Sequence, residues 1–306
     1  MREALAAFVR LSRLKFLAGG LLGVALGTLV AAYERGGRIE WSDWAWTQGA
    51  VGAFQLMTHY ANDFFDREAD ARARRTPFSG GSGTLVDGSL APVVALRASL
   101  ASLAAGLAAT AVLVANGRIA AGATLLAVAA LAWAYSAPPL RLLARGLGEL
   151  DTALVVAVLV PLAACLAQGT AAGPRLLAST LPGAAAMFAM MLCVEAPDTS
   201  VDAASGKRNL LVRRGRAILR GWGSAAVLAS FAGVGLALAA GAPATVGLLQ
   251  ALSLPPGIDL GRAFGRSAAG LDPYADAGLA ARGVVFFFLV GLNGVLGYAA
   301  ALAWRI

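Results

Sequence analysis

Four acidic side chains and one asparagine lie within NDFFDREAD, residues 62–70. Positions four apart fall on one face of an α-helix, so Asn62, Asp66 and Asp70 form a stripe with Asp63 beside it. Like charges at that spacing repel one another unless a cation lies near them. The spacing therefore predicts a face that binds a cation.

A second acidic cluster lies in PDTSVDAASGKRNL, residues 197–210, where Asp198 and Asp202 are again four apart and precede Lys207 and Arg208. Acids in a loop are often a solvated face, which is the alternative. Two matching clusters favour a hard divalent cation instead, because Mg²⁺ takes oxygen ligands and bridges carboxylates to substrate phosphates. We expect Mg²⁺ to be shared by the two clusters.

Long apolar runs separate the clusters and predict the elements that position them. The chain has 306 residues, is 58% hydrophobic and 14% charged, and has a mean hydropathy of +0.71. A bilayer core about 30 Å thick needs roughly 20 helical residues to cross it. The composition excludes a soluble fold and predicts an all-α polytopic membrane protein with one domain over 1–306. Nine transmembrane helices are predicted at 16–34, 44–62, 91–115, 119–135, 148–170, 175–196, 217–239, 241–255 and 283–303.

The basic residues predict the orientation in the membrane. With a cytoplasmic N-terminus, 20 of the 25 Lys and Arg residues fall in cytoplasmic segments and the C-terminus lies outside. The net charge of +8 then reflects topology and affinity for anionic lipid or an anionic substrate, and no basic segment indicates nucleic-acid binding. Cys165 and Cys193 lie inside apolar runs, where we expect inert core residues. The sequence carries no indication of oligomeric state.

Three segments together resemble the UbiA-type intramembrane aromatic prenyltransferases. NDFFDREAD matches their NDxxDxxxD signature, PDTSVDAASGKRNL is similar to their second aspartate motif, and YSAPPLRLLARGLGEL (135–150) is similar to a segment between helices four and five. The resemblance implies nine helices around a central cavity that opens sideways to lipid. It implies Mg²⁺ ligation and polyprenyl diphosphate binding, with Lys207 and Arg208 on the phosphate oxygens. The implied metal ligands are Asn62, Asp63, Asp66, Asp70, Asp198 and Asp202, with Asp66 and Asp198 essential for catalysis.

Such a site would make diphosphate a good leaving group. Metal ions and cations neutralise the charge that develops on it, and apolar walls keep water from the allylic cation until an aromatic ring attacks. The resemblance places Tyr135 near the reacting carbon, where its ring would stabilise a cation; a membrane-belt anchor is the alternative. Arg141 and Arg145 are four apart and are candidates for a phosphate clamp, or are ordinary positive-inside residues.

The acceptor side of the site has fewer candidates. Glu149 or Asp151 would orient or deprotonate the acceptor, unless they only complement a helix N-terminus. His59 is three residues before Asn62 and is expected to face the same cavity, as a proton acceptor or as a hydrogen-bonded core residue.

The acceptor class is predicted from the same resemblance. YSAPPLRLLARGLGEL and the Asn-Asp opening of the first motif are similar to members that use 1,4-dihydroxy-2-naphthoate in menaquinone synthesis. Glu195-Ala-Pro197 departs from the quinone branch, so prenyl transfer to a non-quinone acceptor remains an alternative. We expect an integral protein of the bacterial inner (cytoplasmic) membrane with a cytoplasmic active site.

Two other function classes fit the sequence less well. A CDP-alcohol phosphotransferase needs further acids downstream of a DG-x2-AR segment, and Asp87-Gly88 lacks them. A carboxylate-coupled transporter would place its acids near the membrane midplane, whereas these acids cluster at one face.

Overall fold

The fold is described from a computed structural model that covers residues 2–73, 77–78, 80–268 and 275–304. Within these residues the chain forms helices and connecting loops. The α-helices are α1 (Arg2–Ser12), α2 (Leu17–Glu34), α3 (Trp41–Asp70), α4 (Pro92–Ala115), α5 (Ile119–Ala134), α6 (Gly148–Leu154), α7 (Val160–Ala167), α8 (Pro174–Glu195), α9 (Thr199–Ala204), α10 (Leu210–Arg214), α11 (Ser224–Ala239), α12 (Ala244–Gln250), α13 (Leu254–Ala268) and α14 (Ala275–Ala303).

Short distorted segments join several of these helices end to end. A π-helical segment, Val155–Leu159, joins α6 to α7 into one helix over Gly148–Ala167, and a second, Leu219–Gly223, precedes α11. Turns of 3₁₀ helix link α8 to α9 at Ala196–Asp198 and α12 to α13 at Ala251–Ser253. Tighter or wider turns of this kind let a long helix change direction without losing its backbone hydrogen bonds.

Each of the nine predicted apolar runs contains a helix, but two boundaries differ in ways that matter. The 44–62 run extends to Asp70, so the whole first acidic cluster is helical. The span predicted to end at residue 255 is followed directly by further helix, which continues through Ala268. Both prolines fall in the first turn of α13, where a missing N–H is tolerated.

Length and composition support fewer membrane spans among the described residues than the nine predicted. Six helices of the described residues are long and apolar enough to cross a membrane. A seventh, Ile119–Ala134, is apolar but shorter. Nine spans therefore stay a prediction. The six are Arg2–Glu34, Pro92–Ala115, Gly148–Ala167, Pro174–Ala204, Leu219–Ala239 and Gly278–Ala303.

Small residues bring α2 close to the Gly148–Ala167 helix. A Cβ atom on Gly27 would lie 2.0 Å from the Pro161 carbonyl oxygen, and one on Gly23 would lie 2.9 Å from a Val160 methyl group. Helices in lipid associate through such close backbone approach, because burial of apolar area drives little association there.

Polar side chains add hydrogen bonds between helices. The Tyr298 and Ser179 hydroxyls lie 2.8 Å apart, joining α14 to α8. Ser99 of α4 donates to the Met57 carbonyl oxygen at 3.0 Å, and Gln250 donates to the Val290 carbonyl oxygen at 2.8 Å. Such bonds fix the rotation of each helix, because an unpaired polar group inside the bundle is costly.

Candidate active site

Acidic residues from two separate helical segments border one polar cavity. Asp66 and Asp70 come from the end of α3, and Asp198 and Asp202 come from the segment that follows α8. The predicted meeting of the two clusters is therefore present in the structure. The four-residue spacing within each cluster turns its carboxylates toward the same space.

Lys207 bridges the two clusters. Its Nζ lies 3.0 Å from Asp66 Oδ2 and 3.4 Å from Asp202 Oδ1, and its side chain is about one-tenth exposed. Burial alone would lower the pKa of Lys207, but Asp66 and Asp202 outweigh burial and hold that pKa above its ordinary value. The residue is therefore a buried ammonium ion paired with both clusters.

Amide side chains hold two of the carboxylates in place. Asn62 Nδ2 donates to Asp66 Oδ2 at 2.8 Å and to Ser136 Oγ at 3.1 Å. Asn209 Nδ2 donates to Asp202 Oδ2 at 2.9 Å, while its Oδ1 accepts the Val212 N–H and caps α10. Asn62 is thus a neighbour of the acids that orients Asp66.

Asp63 lies beside the stripe and faces a different set of partners. Its carboxylate pairs with the Arg13 guanidinium and accepts the Ser82 hydroxyl and the Ser82 N–H, the last at 3.1 Å. It is not part of the cavity wall, which Asp66 and Asp70 form on the α3 side. The geometry gives Asp63 the role of fixing the loop around Ser82 and the α1–α2 connection against α3.

The glycines before Ser82 pack directly against the acids. A Cβ atom on Gly81 would lie 2.3 Å from Asp70 Oδ2, and the residue has a φ of +68°, which favours glycine. Gly80 lines the same cavity as Asp198. This glycine loop, Gly80–Ser82, therefore lies against the acidic cavity that the two clusters share.

A second, apolar cavity continues from the polar one. Six residues line both: Arg13, Asn62, Phe78, Tyr135, Met191 and Val194. The apolar cavity lies among α2, α3, α5, α8, α14 and the Gly148–Ala167 helix, and Met187, Met190, Phe287 and Phe288 form much of its wall. Tyr135 thus lies where the acidic end meets the hydrocarbon end.

His59 lines the apolar cavity rather than the acidic one. Its Nδ1 lies 3.0 Å from the Ser12 carbonyl oxygen, and the Phe16 ring contacts it edge-on at a centroid distance of 6.1 Å. These contacts match the hydrogen-bonded core alternative and place the ring beside the cavity wall.

The chain's sequence matches one established family over most of its length. The profile of the UbiA prenyltransferase family matches residues 21–258. The chain belongs to the UbiA prenyltransferase family. It is an integral membrane enzyme that transfers prenyl groups. No curated protein sequence matches the chain.

Solved structures of UbiA proteins share the fold at low sequence identity. A structure described as digeranylgeranylglyceryl phosphate synthase is 16% identical, with a TM-score of 0.67, over 98% of this chain and 100% of the other. A UbiA homolog from Archaeoglobus fulgidus bound to GPP and Mg²⁺ is 15% identical, with a TM-score of 0.68, over 96% and 99%. The same homolog bound to Cd²⁺ is 14% identical, with a TM-score of 0.61, over 95% and 99%.

Four predicted site residues of this UbiA-family enzyme lie away from both cavities. Arg141, Arg145 and Arg208 are exposed, and Arg145 donates to the Pro139 carbonyl oxygen at 2.9 Å. Glu149 is fully buried and accepts the Leu210 N–H at 2.9 Å, which caps the start of α10. In this conformation the three arginines form no clamp, and Glu149 has a structural partner.

Two residues that line the acidic cavity were not among the site residues predicted from the sequence. Arg13 lines both cavities and pairs with Asp63, although it is 50 residues away in the chain. Glu195 borders the acidic cavity at 6% exposure, with no hydrogen-bond donor at either carboxylate oxygen among the described residues. Its place one helical turn before Asp198 was the available signal, because residues three apart share a helix face.

The donor set of the acidic cavity fits Mg²⁺. Among the described residues no three His, Cys, Asp or Glu side chains converge closely enough to hold a metal ion. Yet Asp66, Asp70, Asp198 and Asp202 supply carboxylate oxygens to one cavity, which suits a hard cation. The enclosed Glu195 carboxylate also lacks a donor, and a cation entering the cavity would offset that cost.

Proposed function

We propose that this enzyme transfers a polyprenyl group from polyprenyl diphosphate to an aromatic acceptor in a Mg²⁺-dependent reaction. The observation that carries the proposal is the continuous cavity, which is acidic with one buried ammonium at one end and hydrocarbon-lined at the other. A molecule with a charged head and a long apolar tail matches that gradient. The GPP and Mg²⁺ bound to the Archaeoglobus homolog have the same two chemistries.

Asp66, Asp70, Asp198 and Asp202 are the residues that would hold Mg²⁺, with Asn62 orienting Asp66. Bound there, Mg²⁺ would neutralise the charge that develops on the leaving diphosphate. Lys207 has three N–H donors and is already a cation in this cavity, so it would contact phosphate oxygens.

The apolar end would hold the prenyl chain and protect the reacting carbon. Tyr135 presents an aromatic ring at the junction of the two cavities, where a developing allylic cation would be stabilised by the ring face. Met187, Met190 and Phe287 exclude water, which would otherwise capture that cation.

We assign the acceptor to the aromatic class, with 1,4-dihydroxy-2-naphthoate as the first candidate. The support is the likeness of segment 135–150 and of the Asn62-Asp63 opening to that branch. A non-aromatic lipid acceptor is the competing candidate, because one structural neighbour is described as digeranylgeranylglyceryl phosphate synthase. We further propose a single domain, nine spans and a cytoplasmic active site in a bacterial inner membrane, supported by the distribution of Lys and Arg.

The test is prenyl transfer by the purified protein in lipid nanodiscs. Labelled geranyl diphosphate is supplied with 1,4-dihydroxy-2-naphthoate, 4-hydroxybenzoate or geranylgeranylglyceryl phosphate, with Mg²⁺ or with EDTA. We expect labelled product with an aromatic acceptor, loss of product in EDTA, and recovery on adding excess Mg²⁺. Turnover that persists in EDTA contradicts the metal requirement, and product from the glyceryl phosphate alone contradicts the aromatic acceptor.

Carboxylate variants locate the reaction in this cavity. Asp66→Asn and Asp198→Asn keep the shape of the side chain but remove its charge, so we expect each to lower the rate at least about a hundredfold. Asp259→Asn is the matched control, because Asp259 pairs with Arg282 on an exposed surface. Near-normal rates in both cavity variants, with folding intact, would show that these carboxylates have been misassigned.

A further inference from the structure

A carboxylate projects into the hydrocarbon part of the cavity. Asp151 lies in the first turn of α6, lines the apolar cavity together with Thr152 and Val155, and is 8% exposed. The walls around it are mainly aliphatic, aromatic and methionine side chains. Placing an acid there is unfavourable unless something polar meets it.

Within the described part of the chain, one oxygen of this carboxylate is left without a partner. Asp151 Oδ1 is enclosed and has no hydrogen-bond donor among the described residues. It makes no side-chain cap at the start of α6. Glu149, two residues earlier, does have a structural role, since it accepts the Leu210 N–H. The position of Asp151 in the first turn of α6 suits the helix dipole, but it gives the enclosed Oδ1 atom no hydrogen-bond donor.

The chemistry of the two substrates indicates which of them contacts the Asp151 carboxylate. A prenyl chain is pure hydrocarbon and offers no hydrogen bond, so Asp151 gains nothing from it. A phenolic acceptor offers O–H donors on an otherwise apolar body. Gln55 Oε1 is a second enclosed acceptor atom without a donor on the same cavity wall. Two hydrogen-bond acceptors without donors in one apolar space fit a ligand that carries hydroxyl donors.

We propose that Asp151 binds a hydroxyl group of the prenyl acceptor and selects acceptors that carry one. The inference rests on the proposed prenyl transfer and adds the acceptor subsite to it. An acceptor whose nearest group is an anionic phosphate would be repelled by this carboxylate. The subsite therefore favours phenols and hydroquinones over phosphate-bearing lipids.

The first test separates a ligand-binding acid from a structural one, without any turnover. Thermal unfolding in nanodiscs is compared for Asp151→Asn and Glu149→Leu in the absence of substrates. Removing an unpartnered buried charge should leave the midpoint unchanged or raise it, whereas Glu149→Leu removes the acceptor of the buried Leu210 N–H and should lower it. A clear drop in Asp151→Asn would overturn the proposal by assigning the carboxylate a structural role.

The second test measures selection of the hydroxyl group. Initial rates are compared for 1,4-dihydroxy-2-naphthoate and its mono-O-methyl ethers, with geranyl diphosphate and Mg²⁺. We expect Asp151→Leu to raise the KM for the dihydroxy acceptor about tenfold or more, and to abolish the preference over the ether that lacks the recognised hydroxyl. The affinity for a non-reactive thiolodiphosphate analogue of geranyl diphosphate should stay at the wild-type value.

The outcomes distinguish the two levels of the proposal. Wild-type protein that transfers to none of the acceptors contradicts the proposed function itself. If the wild-type protein transfers the prenyl group and Asp151→Leu keeps the same KM and the same preference for the hydroxyl, only the role of Asp151 is overturned. A weakened affinity for the donor analogue would place Asp151 on the prenyl side and also overturn the inference.

Discussion

At the scale of single residues, Lys207 neutralises the charge where the two acidic clusters meet. Asp66 and Asp202 belong to different helical segments, and the ammonium group contacts both. Without a cation between them, the two carboxylates would repel one another in a poorly solvated cavity. Lys207 thus holds the clusters together, and its N–H donors would be free to turn to diphosphate if a metal ion took over that charge.

Lys207→Met should therefore destabilise the protein without metal. Removing one partner of a buried ion pair leaves uncompensated charge, and we expect the free energy of unfolding to fall by about 3 kcal/mol. Saturating Mg²⁺ should raise the unfolding midpoint more in Lys207→Met than in wild type, because the ion replaces the missing charge. Thermal unfolding with and without Mg²⁺ measures both effects.

The control is Arg262→Met, which removes an exposed cation from α13 and should change little. Equal Mg²⁺ stabilisation in wild type, control and Lys207→Met would contradict a shared site for the ammonium and the metal.

The predicted site residues fall into two groups. In one group the helix spacing determines where the side chain points, and in the other a partner far away in the chain determines it. Asp66, Asp70, Asp198 and Asp202 border one cavity, and within each pair the helix fixes that the two side chains share a face. The direction of Glu149 depends on α10, which is 61 residues later in the chain. The sequence contains no local signal for such long-range partners, and the same is true of the Arg13–Asp63 pair.

At the scale of elements, the glycine loop holds the acids through backbone contact. Gly81→Ala adds a Cβ atom 2.3 Å from Asp70 Oδ2, so the carboxylate or the loop must shift. We expect weaker donor binding and a lower rate, measured as an increased KM for geranyl diphosphate and a decreased kcat. The variant also forces alanine into a positive φ, which costs about 1 kcal/mol.

Gly88→Ala separates these two causes. Gly88 has a φ of +72° but nothing within 4 Å of its Cβ position, so this variant carries the backbone strain without the contact. Equal losses of activity in both variants would show that the Asp70 contact is unimportant.

The close approach of α2 and α7 gives a second prediction at this scale. Gly27→Ala places a Cβ atom 2.0 Å from the Pro161 backbone oxygen, which cannot move without shifting the helix. We expect a loss of about 1–3 kcal/mol in stability. Gly49→Ala, in exposed helix with nothing within 4 Å, should stabilise by about 0.5–1 kcal/mol. Opposite shifts of the thermal midpoint are the expected result, and a gain in both would refute tight packing at Gly27.

Helix positions were largely predictable because long apolar runs must be helical in a bilayer, where backbone groups find no water. The helix boundary at Pro255-Pro256 was not predictable, because proline can end a helix or begin one, depending on what precedes it. Here the 3₁₀ turn Ala251–Ser253 places both prolines at the beginning of α13. The sequence alone does not distinguish the two cases.

At the scale of the whole molecule, the polarity of the cavity runs from an acidic end to a hydrocarbon end. The acidic end lies near Gly80–Ser82 and Lys207, in segments that the distribution of Lys and Arg predicts to be cytoplasmic. The apolar end is surrounded by the spanning helices. A water-soluble diphosphate and a lipid-soluble tail would thus each meet the part of the protein that matches its solvent.

This orientation can be measured directly, because the natural cysteines are buried. Cys165 and Cys193 are both fully enclosed, so a membrane-impermeant maleimide should not label the wild-type protein.

Arg38→Cys places a thiol in the α2–α3 loop, and Ser205→Cys places one just before Lys207, on the exposed side of the α9–α10 loop. We expect Arg38→Cys to react in intact spheroplasts and Ser205→Cys to react only after the membrane is opened, because basic loops are retained inside. Both should react equally once the membrane is opened, which controls for intrinsic reactivity. Labelling of Ser205→Cys in intact spheroplasts would show that the predicted topology is inverted and that the acidic cavity lies on the outer side.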